Sequence, residues 1–297
     1  MTTGAIAYEE LAKTTPAVIA KVQAIMDAHP TPSLLIDRAN TEKSDDAKAE
    51  RLFMEIATWP DDVRPPSTYS KEFHHDTWHW INIVYTPEGS KYNKPQEVIK
   101  DRIFEAFNKN VFVISNASST DADKAVALCW IFHLVGDSHQ PLHTTALFDE
   151  EFPEGDKGGN STKIRVKEGA RIINLHQFWD GAVLGSSDPN AAKNMATKLR
   201  ATYPKTSMTM LRERPYLNTS TFENWGRQEA SALAVFISYD GGELLHYPKD
   251  DGAYQLTPEY IAYTKAIAEQ QAVLAGYRIA EILTKLFGDQ IAGTAKQ

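Results

Sequence analysis

Histidine and aspartate recur at metal-binding spacing in the middle of the chain. His133 and Asp137 are four residues apart within a segment that is otherwise apolar. On a helix, residues four apart share a face, so this imidazole and this carboxylate can hold one ion. Gly136 and Pro141 are predicted to break the helix, which would let His143 turn back toward the same place. The pattern therefore predicts a buried metal site on a central helix.

The same spacing returns further along the chain, where His176 and Asp180 are four residues apart in an aromatic setting. One such pair is more often solvated on a helix surface, but two pairs in apolar or aromatic settings favour metal binding. Asp61, after a predicted helix end, and His79, beside aromatic residues, are further candidates, with an Asx turn and a cross-strand polar residue as their alternatives. Imidazole and carboxylate without thiolate is typical of hydrolytic zinc sites. More than one zinc ion is expected.

Composition indicates an ordinary globular protein that is long enough to bury a substantial core. Its 297 residues carry a net charge of −8, so any nucleic-acid chemistry is expected at a local site where divalent cations supply positive charge. Cys129 is the single cysteine, which excludes a disulfide framework and a thiolate metal site. No apolar run approaches the roughly twenty residues of a membrane span, and no signal peptide begins at Met1.

Apolar residues at helical spacing predict that most of the chain is helical. The predicted helices cover residues 4–11, 16–28, 44–58, 95–109, 174–180, 190–203, 221–239 and 258–287, with the central helix starting at the capping residues 118–121. Residues 77–85 are predicted to be extended, 148–160 to form a loop, and 163–166 with 171–173 to form a small β-hairpin. We therefore expect an all-α fold with one hairpin, in a single domain that covers residues 1–297.

The candidate ligands belong to an ordered set of motifs that resembles a known enzyme family. The motifs are Trp59-Pro60-Asp61, His79 before an aromatic residue, Phe132-His133 to Gly136-Asp137, Gln140-Pro141-Leu142-His143, Gly158-Gly159-Asn160, and Asn174-Leu175-His176 with Trp179-Asp180. They are similar to those of the trinuclear-zinc, single-strand-specific nucleases of the S1/P1 type. That family shares an all-helical fold with zinc-dependent phospholipase C. The resemblance runs from about Gly4 to Asp180, and more loosely through the C-terminal helices.

The resemblance implies a role for each matching residue. One zinc ion would be bound by Asp61, His79, His133 and Asp137, with Asp137 bridging to a close partner ion. A third ion, further off, would be bound by His143, His176 and Asp180. The residues implied to act in catalysis are Asp61, Asp137 and Arg64, and those implied to contact the substrate are Trp80, Asn82 and Arg64. Arg64 matches a position where the family often has a basic residue, which suits a phosphate oxygen. Trp80 could stack a nucleobase, with a plain core position as its alternative.

The implied activity is zinc-dependent endonucleolytic hydrolysis of single-stranded DNA and RNA to 5′-phosphate products, with a 3′-nucleotidase activity as a further implication. Zinc ions in such sites supply a nucleophile at neutral pH and stabilise charge on phosphorus. Single-stranded nucleic acid and nucleotides are the expected partners of a monomer that does not bind membranes and is secreted or periplasmic. The alternatives are a zinc phospholipase C-like phosphodiesterase and a catalytically impaired zinc-binding relative.

Two departures from the family pattern carry expectations of their own. Asn82 stands where the family often has an aspartate associated with base recognition, so an altered or relaxed base preference is expected. Mature family members begin with a Trp-Gly-x-x-Gly-His stretch that completes the close zinc pair, and residues 1–7 resemble the segment directly after that histidine. We expect that Met1 lies downstream of the true start; a degenerate protein is the alternative. Three zinc ions are expected for a restored chain and two at most for the chain as given.

Overall fold

The computed structural model describes residues 1–93 and 102–294. Its α-helices are α1 (Thr2–Thr14), α2 (Pro16–Met26), α3 (Ile36–Ala39), α4 (Asp45–Asp62), α5 (Ser70–Phe73), α6 (Ile103–Ser115), α7 (Asp121–Ser138), α8 (Leu175–Asp180), α9 (Pro189–Thr202), α10 (Thr209–Glu213), α11 (Thr219–Asn224), α12 (Ser231–Leu233) and α13 (Pro258–Thr294). Two π-helical segments, Trp225–Ala230 and Ala234–Ser238, flank α12. The predicted all-α class is confirmed. In the part of the chain described, no helix is both long and apolar enough to span a membrane.

The strands are short and connect the segments that carry the candidate ligands. They are β1 (Ile83–Tyr85), β2 (Thr145–Leu147), β3 (Lys163–Arg165), β4 (Ile173–Asn174), β5 (Lys249–Asp250) and β6 (Ala253–Gln255). β1 pairs with β2 in parallel, which joins the chain after His79 to the chain after His143. The other sheet has the order β4-β3-β6-β5. Within it β3 and β4 are antiparallel, as predicted for the hairpin, with Ile164 opposite Ile173.

Helix α7 lies in the centre of the core. Thr120 caps its first turn in a capping box with Asp123, whose backbone N–H donates to the Thr120 hydroxyl. From Ala127 to Val135 every side chain is buried, and α7 contacts α2, α4, α6 and α13. A helix that is apolar around its whole circumference is stable only when it is covered on all sides. The surrounding helices therefore fix the position of the polar residues that α7 carries.

Helix α1 crosses its neighbours at close range because two glycines lie at the contacts. A Cβ atom on Gly4 would lie 2.2 Å from the carbonyl oxygen of Phe53 in α4. A Cβ atom on Gly276 of α13 would lie 2.5 Å from the side chain of Ile6. Both distances are below any real van der Waals contact, so only glycine fits at either crossing. The first and last long helices are thereby packed against each other.

The predicted break at Gly136 is wrong, because α7 continues through this residue and ends at Ser138. A glycine inside a helix costs about 1 kcal/mol relative to alanine, which the buried packing of the rest of α7 readily offsets. Pro141 instead opens a short 3₁₀ turn, Pro141–His143, after the helix end. This turn, and not a break at Gly136, returns His143 toward α7.

Two further boundaries differ from the prediction. Helix α4 continues through Pro60 to Asp62, so Asp61 lies in its last turn and not beyond its end. Proline removes one helical N–H, but Trp59 and Pro60 are both buried, and their packing keeps the last turn in place. Residues Asp76–His79 form a 3₁₀ turn, and the chain pairs as a strand only from Ile83. The helix predicted at 95–109 overlaps α6 in residues 103–109, and residues 95–101 lie outside the described part of the chain.

Candidate metal centre

A first group of candidate ligands consists of Asp61, His79 and His133, from the end of α4, the 3₁₀ turn and α7. One potential ligand atom from each lies within 4.8 Å of the other two. His79 Nδ1 is 2.9 Å from His133 Nε2, and His133 Nε2 is 3.6 Å from Asp61 Oδ1. Both imidazoles are buried, whereas about half of the Asp61 side chain is exposed. The group is therefore open to solvent on its aspartate side.

A second group consists of His143, His176 and Asp180, whose potential ligand atoms also lie within 4.8 Å of one another. The Nε2 atoms of the two histidines are 3.2 Å apart. Asp180 Oδ1 is 3.7 Å from His143 Nε2, and its Oδ2 is 3.6 Å from His176 Nε2. Helix α8 places His176 and Asp180 one turn apart, as their spacing predicts. The 3₁₀ turn supplies His143 from the other side.

Asp137 lies between the two groups. Its Oδ2 atom is 3.1 Å from both His79 Nδ1 and His133 Nε2. The same oxygen is 3.8 Å from His143 Nδ1. One carboxylate on α7 thus faces imidazoles of both groups, and the structure brings together all seven residues proposed as ligands from the sequence.

Backbone carbonyls orient three of the four imidazole rings. In each of them the Nδ1–H group donates to a carbonyl oxygen. His133 donates to Ala57 O at 2.9 Å. His143 donates to His79 O and His176 to Gly158 O, both at 2.7 Å. A ring that donates from Nδ1 keeps a lone pair on Nε2 when it is neutral, so these bonds fix the nitrogen that faces the site. His79 is turned the other way. Its Nδ1 faces Asp137, and its buried Nε2 has no hydrogen-bond partner among the described residues.

The Gly158-Gly159 pair brings the carbonyl that holds His176 into reach. Gly158 has a φ of +61°, and a Cβ atom there would lie 2.2 Å from the carbonyl oxygen of Leu142. A Cβ atom on Gly159, with φ +79°, would lie 3.1 Å from the backbone nitrogen of His176. The loop therefore passes tightly between the segments that carry His143 and His176. This is a physical reason for the glycine motif.

Asp156 organises the same loop, and the sequence patterns did not single it out. Its buried carboxylate accepts hydrogen bonds from the backbone N–H groups of Leu147 at 2.9 Å and Gly159 at 3.0 Å. It also accepts from the hydroxyls of Thr162 at 2.8 Å and Tyr239 at 3.0 Å. Burial raises the pKa of this carboxyl, while the donors oppose that shift. An aspartate two residues before a Gly-Gly pair is the only sequence signal for this role.

The electrostatics of the two groups favour positive charge between the ligands. Burial alone would lower the pKa of His133, but Asp137 and Asp61 raise it to about 9. Burial likewise opposes protonation of His143, and Asp137 with Asp180 raises its pKa to about 9. Burial would raise the pKa of Asp137, yet His133 and His143 hold it well below its ordinary value. The Asp137 carboxylate is therefore ionised and requires cationic neighbours.

The donor set fits a bound dication. His143 and His176 both use Nδ1–H on backbone carbonyls, so in their neutral forms two Nε2 lone pairs would face each other at 3.2 Å. That arrangement is repulsive unless a cation lies between them, either a proton on one ring or a metal ion. Imidazole nitrogens with carboxylate oxygens are the ligands that Zn²⁺ takes in hydrolytic sites. The residues present thus suit the metal that the family resemblance implies.

A cavity of about 550 Å³ opens beside both groups. Its polar wall includes Asp61, His133, Asp137, His143 and Asp180, and its apolar wall includes Phe132, Trp179, Val183, Leu184 and the alanines 268, 272 and 275 of α13. This volume is in the range of sites for small ligands, roughly 300–1,000 Å³. Ligand-sized space therefore lies directly against the candidate metal ligands.

None of the residues proposed to contact substrate, which are Arg64, Trp80 and Asn82, is among the described residues that line this cavity. Arg64 pairs with Asp61, with 3.0 Å between its Nη2 and Oδ1, and both side chains are about half exposed. One face of the Trp80 ring is covered by the Arg102 guanidinium, 3.4 Å from the ring centre. The roles of Trp80 and Asn82 stay predictions.

His139 lies between the candidate ligands Asp137 and His143 in sequence, but its hydrogen-bond partners lie elsewhere. Its Nδ1–H donates to Val135 O at 2.7 Å, and its Nε2 accepts from Arg278 Nη1 at 2.8 Å. Arg278, fully buried in α13, forms an ion pair with Glu229 at 2.8 and 3.1 Å. Burial and the Arg278 charge hold the pKa of His139 well below its ordinary value, so this ring is neutral. It connects α7 to α13 and bonds to none of the candidate ligands described.

Comparison with known proteins gives relatives that are nucleases by name. The chain is 26% identical to Nuclease S1 of Aspergillus oryzae over 242 residues, which cover 76% of each chain. It is 23% identical to Endonuclease 3 of Arabidopsis thaliana over 250 residues, 78% of this chain and 76% of that protein. Endonuclease 4 of the same plant is 26% identical over 147 residues, 44% of this chain and 43% of that protein. The sequence model of the S1/P1 Nuclease family matches residues 1–288, and the chain therefore belongs to this family.

Proposed function

We propose that this chain is a zinc-dependent endonuclease that hydrolyses phosphodiester bonds of single-stranded DNA and RNA to 5′-phosphate products. The observation that carries the proposal is the position of Asp137, whose Oδ2 atom lies 3.1 Å from both imidazoles of the first group and 3.8 Å from His143 Nδ1. This carboxylate would bridge the ion of the first group to the close partner ion that the resemblance implies, because its charge screens the mutual repulsion of two dications. Family membership supports the nuclease activity itself.

In this proposal the ligands are Asp61, His79, His133 and Asp137 for one zinc ion and His143, His176 and Asp180 for another. The chain as given would then bind two zinc ions. When bound, zinc supplies a nucleophile at neutral pH and stabilises the negative charge that develops on the phosphate. The backbone carbonyls of Ala57, His79 and Gly158 hold the imidazoles in place for this role.

Arg64 is proposed to bind a non-bridging phosphate oxygen. Its guanidinium lies half exposed beside Asp61, so it can donate to an anion that approaches the first group from solvent. A planar guanidinium can give a phosphate two parallel hydrogen bonds. Arg64 would thus position the scissile phosphate against the ligand groups, and together with Asp61 and Asp137 it makes up the proposed catalytic set.

Single-stranded substrates are proposed because the candidate ligands line a cavity of nucleotide-compatible size. A phosphate within a stacked duplex would bring its neighbouring base pairs against the cavity walls, whereas a flexible single strand can place one nucleotide at a time. Trp80 and Asn82 are proposed to contact a base, with the amide of Asn82 relaxing base preference. A 3′-nucleotidase activity would follow from the same chemistry on a terminal phosphate.

We further propose that residues 1–297 form one nuclease domain that acts as a monomer. Its ligands would be single-stranded nucleic acid and nucleotides, without a membrane partner. A secreted or periplasmic location is proposed from the family.

The function is tested by measuring cleavage of denatured DNA, RNA and duplex DNA of the same length in the presence of Zn²⁺. We expect faster cleavage of both single-stranded substrates. The oligonucleotide products should carry 5′-phosphates that a phosphatase removes. Equal rates on duplex and single strands would contradict the single-strand preference. Cleavage of phosphatidylcholine vesicles without cleavage of nucleic acid would replace the proposal by a phospholipase activity.

A further inference from the structure

Gln140 belongs to a motif of the sequence, yet it is neither a metal ligand nor a substrate contact in the proposed function. It lies between the end of α7 and the 3₁₀ turn that carries His143, and it lines the cavity. Its Oε1 atom accepts a hydrogen bond from the backbone N–H of Leu142 at 2.6 Å. Its Nε2 atom donates to Asp180 Oδ1 at 2.9 Å. The two ends of one amide thus serve two different segments.

The bond to Leu142 fixes the orientation of the amide. A glutamine side chain has one acceptor end and one donor end. A backbone N–H must be met by the acceptor, so the Gln140 oxygen lies on the Leu142 side. The NH₂ group is therefore directed at Asp180, where it can only donate.

Asp180 is the candidate ligand of the second group that most needs such a bond. It is the last residue of α8, and half of its side chain is exposed. An exposed aspartate at a helix end can rotate among several staggered positions. The Gln140 amide holds Oδ1 in place, and Oδ2 then faces His176 Nε2 at 3.6 Å. His143, on the turn that Gln140 caps, lies 3.7 Å from Oδ1.

We propose that Gln140 is a positioning residue, which holds Asp180 and the His143 turn in the arrangement that binds zinc at the second group. The inference rests on the proposed zinc-dependent function and deepens it, because it names the residue that preorganises one of the two ion sites. Groups that orient metal ligands typically contribute about 10- to 100-fold in metal affinity. We expect the same range for Gln140, confined to the second group.

The test measures zinc affinity in proteins where only one group is intact. In an Asp61→Ala/His79→Ala background, zinc bound by the second group is titrated in competition with a chromophoric chelator, with and without Gln140→Met. Methionine has a length similar to that of glutamine, but it cannot replace the hydrogen bonds that the glutamine amide donates and accepts. We expect the substitution to weaken zinc binding about 10- to 100-fold. In a His176→Ala/Asp180→Ala background, Gln140→Met should leave zinc binding at the first group within about twofold.

Gln271→Met is the matched control, because Gln271 lines the same cavity from α13 and none of the described contacts joins it to Asp180. It should leave second-group affinity within about twofold. Gln140→Asn provides a second variant, since its amide is one methylene too short to reach both Leu142 and Asp180. Metal-free variants should keep the thermal midpoint of the parent by circular dichroism.

Unchanged second-group affinity in folded Gln140→Met or Gln140→Asn protein would overturn this inference alone. Equal weakening of both groups by Gln140→Met would also overturn it, because the effect would then be a general loosening of the fold. A parent protein whose second group takes up no zinc would instead overturn the proposed zinc centre, and this inference with it.

Discussion

At the scale of single residues, Asp137 carries most of the proposed chemistry, because one of its oxygens faces imidazoles of both groups. We predict that Asp137→Asn removes zinc and abolishes nuclease activity. The amide keeps the shape of the side chain but lacks the negative charge that offsets repulsion between two dications. Zinc content after dialysis and cleavage of denatured DNA would be measured together. Full zinc content with near-normal activity would exclude the central role given to α7.

Arg64→Ala should have the opposite signature. The substitution removes a phosphate donor and an ion pair with Asp61 but no proposed ligand. We predict that zinc is retained and that binding of the substrate phosphate is weakened. The loss should be about 1–3 kcal/mol, as for a lost hydrogen bond to a charged group. Steady-state kinetics should show the loss in kcat/KM. A loss of zinc equal to that in Asp137→Asn would place Arg64 among the residues that maintain the centre instead.

His29 gives a pH dependence of stability that is separate from the metal centre. Its buried ring accepts from Thr31 N–H at 3.2 Å and packs edge-on against Trp59. Burial lowers its pKa from 6.5 to about 4. Between these values the unfolded chain binds a proton that the native protein does not, so the free energy of unfolding falls as the pH falls. The full shift is worth about 3 kcal/mol, at about 1.4 kcal/mol per pH unit.

Urea denaturation of metal-free protein between pH 6.5 and 4 would measure this effect. His29→Gln should show a smaller fall in unfolding free energy over that interval than the parent. His246→Gln is the control, because this histidine is exposed and its replacement should leave the slope unchanged. Parallel curves for all three proteins would show that His29 does not titrate differently on unfolding.

Sequence spacing predicted some residue contacts and could not predict others. His133 with Asp137, and His176 with Asp180, follow from the geometry of one helical turn. The partner of His139 could not be foreseen, because Arg278 is 139 positions away in sequence. Asp156 and Gln140 pose the same problem, since a polar residue in a loop gains its role only from the backbone groups that folding brings to it.

At the scale of elements, the sequence predicted a loop around Gly158 but not the close contacts that this glycine makes. We predict that Gly158→Ala destabilises the protein by more than about 2 kcal/mol and weakens zinc binding at the second group. The added Cβ would lie 2.2 Å from Leu142 O, so the loop must move and take the Gly158 carbonyl away from His176. Chemical denaturation and zinc titration would measure the two effects.

Gly169→Ala is the matched control for that prediction. Gly169 has a φ of +69°, close to the +61° of Gly158, but a Cβ atom there would meet nothing within 4 Å. It should therefore cost only the backbone strain of a left-handed alanine, about 1 kcal/mol, and leave zinc affinity unchanged. Equal effects of both substitutions would show that close packing at Gly158 is unimportant.

Helix positions were predictable because apolar periodicity reports burial, whereas helix ends were not. Gly136 and Pro60 are both unfavourable inside helices, yet α7 and α4 pass through them because tertiary packing outweighs a local cost of this size. The turn at Asp76–His79 formed where an aromatic run suggested a strand. There Trp78 is buried against Trp130 and His75, and such packing is invisible in a short sequence window.

At the scale of the whole molecule, the candidate ligands come from α4, α7, α8 and two 3₁₀ turns. An ion that binds only the folded protein stabilises it by RT ln(1 + [ion]/Kd), about 2.7 kcal/mol at one hundred times Kd. We predict that a chelator lowers the thermal midpoint and that Zn²⁺ restores it, as measured by scanning calorimetry. Asp137→Asn, which should lose zinc, should respond much less. Identical midpoints with and without chelator in the parent would argue against bound zinc.

The contact between α1 and α13 has a consequence for how the protein is made. Gly276 approaches Ile6 so closely that the two helices must dock backbone to backbone, and α13 also contacts α7. A chain still being synthesised lacks this last helix, so α1 and one side of the ligand-bearing helix stay uncovered until translation of α13 is complete. Contacts of such long sequence separation form late. The ligand-bearing helix should therefore complete its packing, and the protein gain its activity, only after α13 has been synthesised and has docked on α1 and α7.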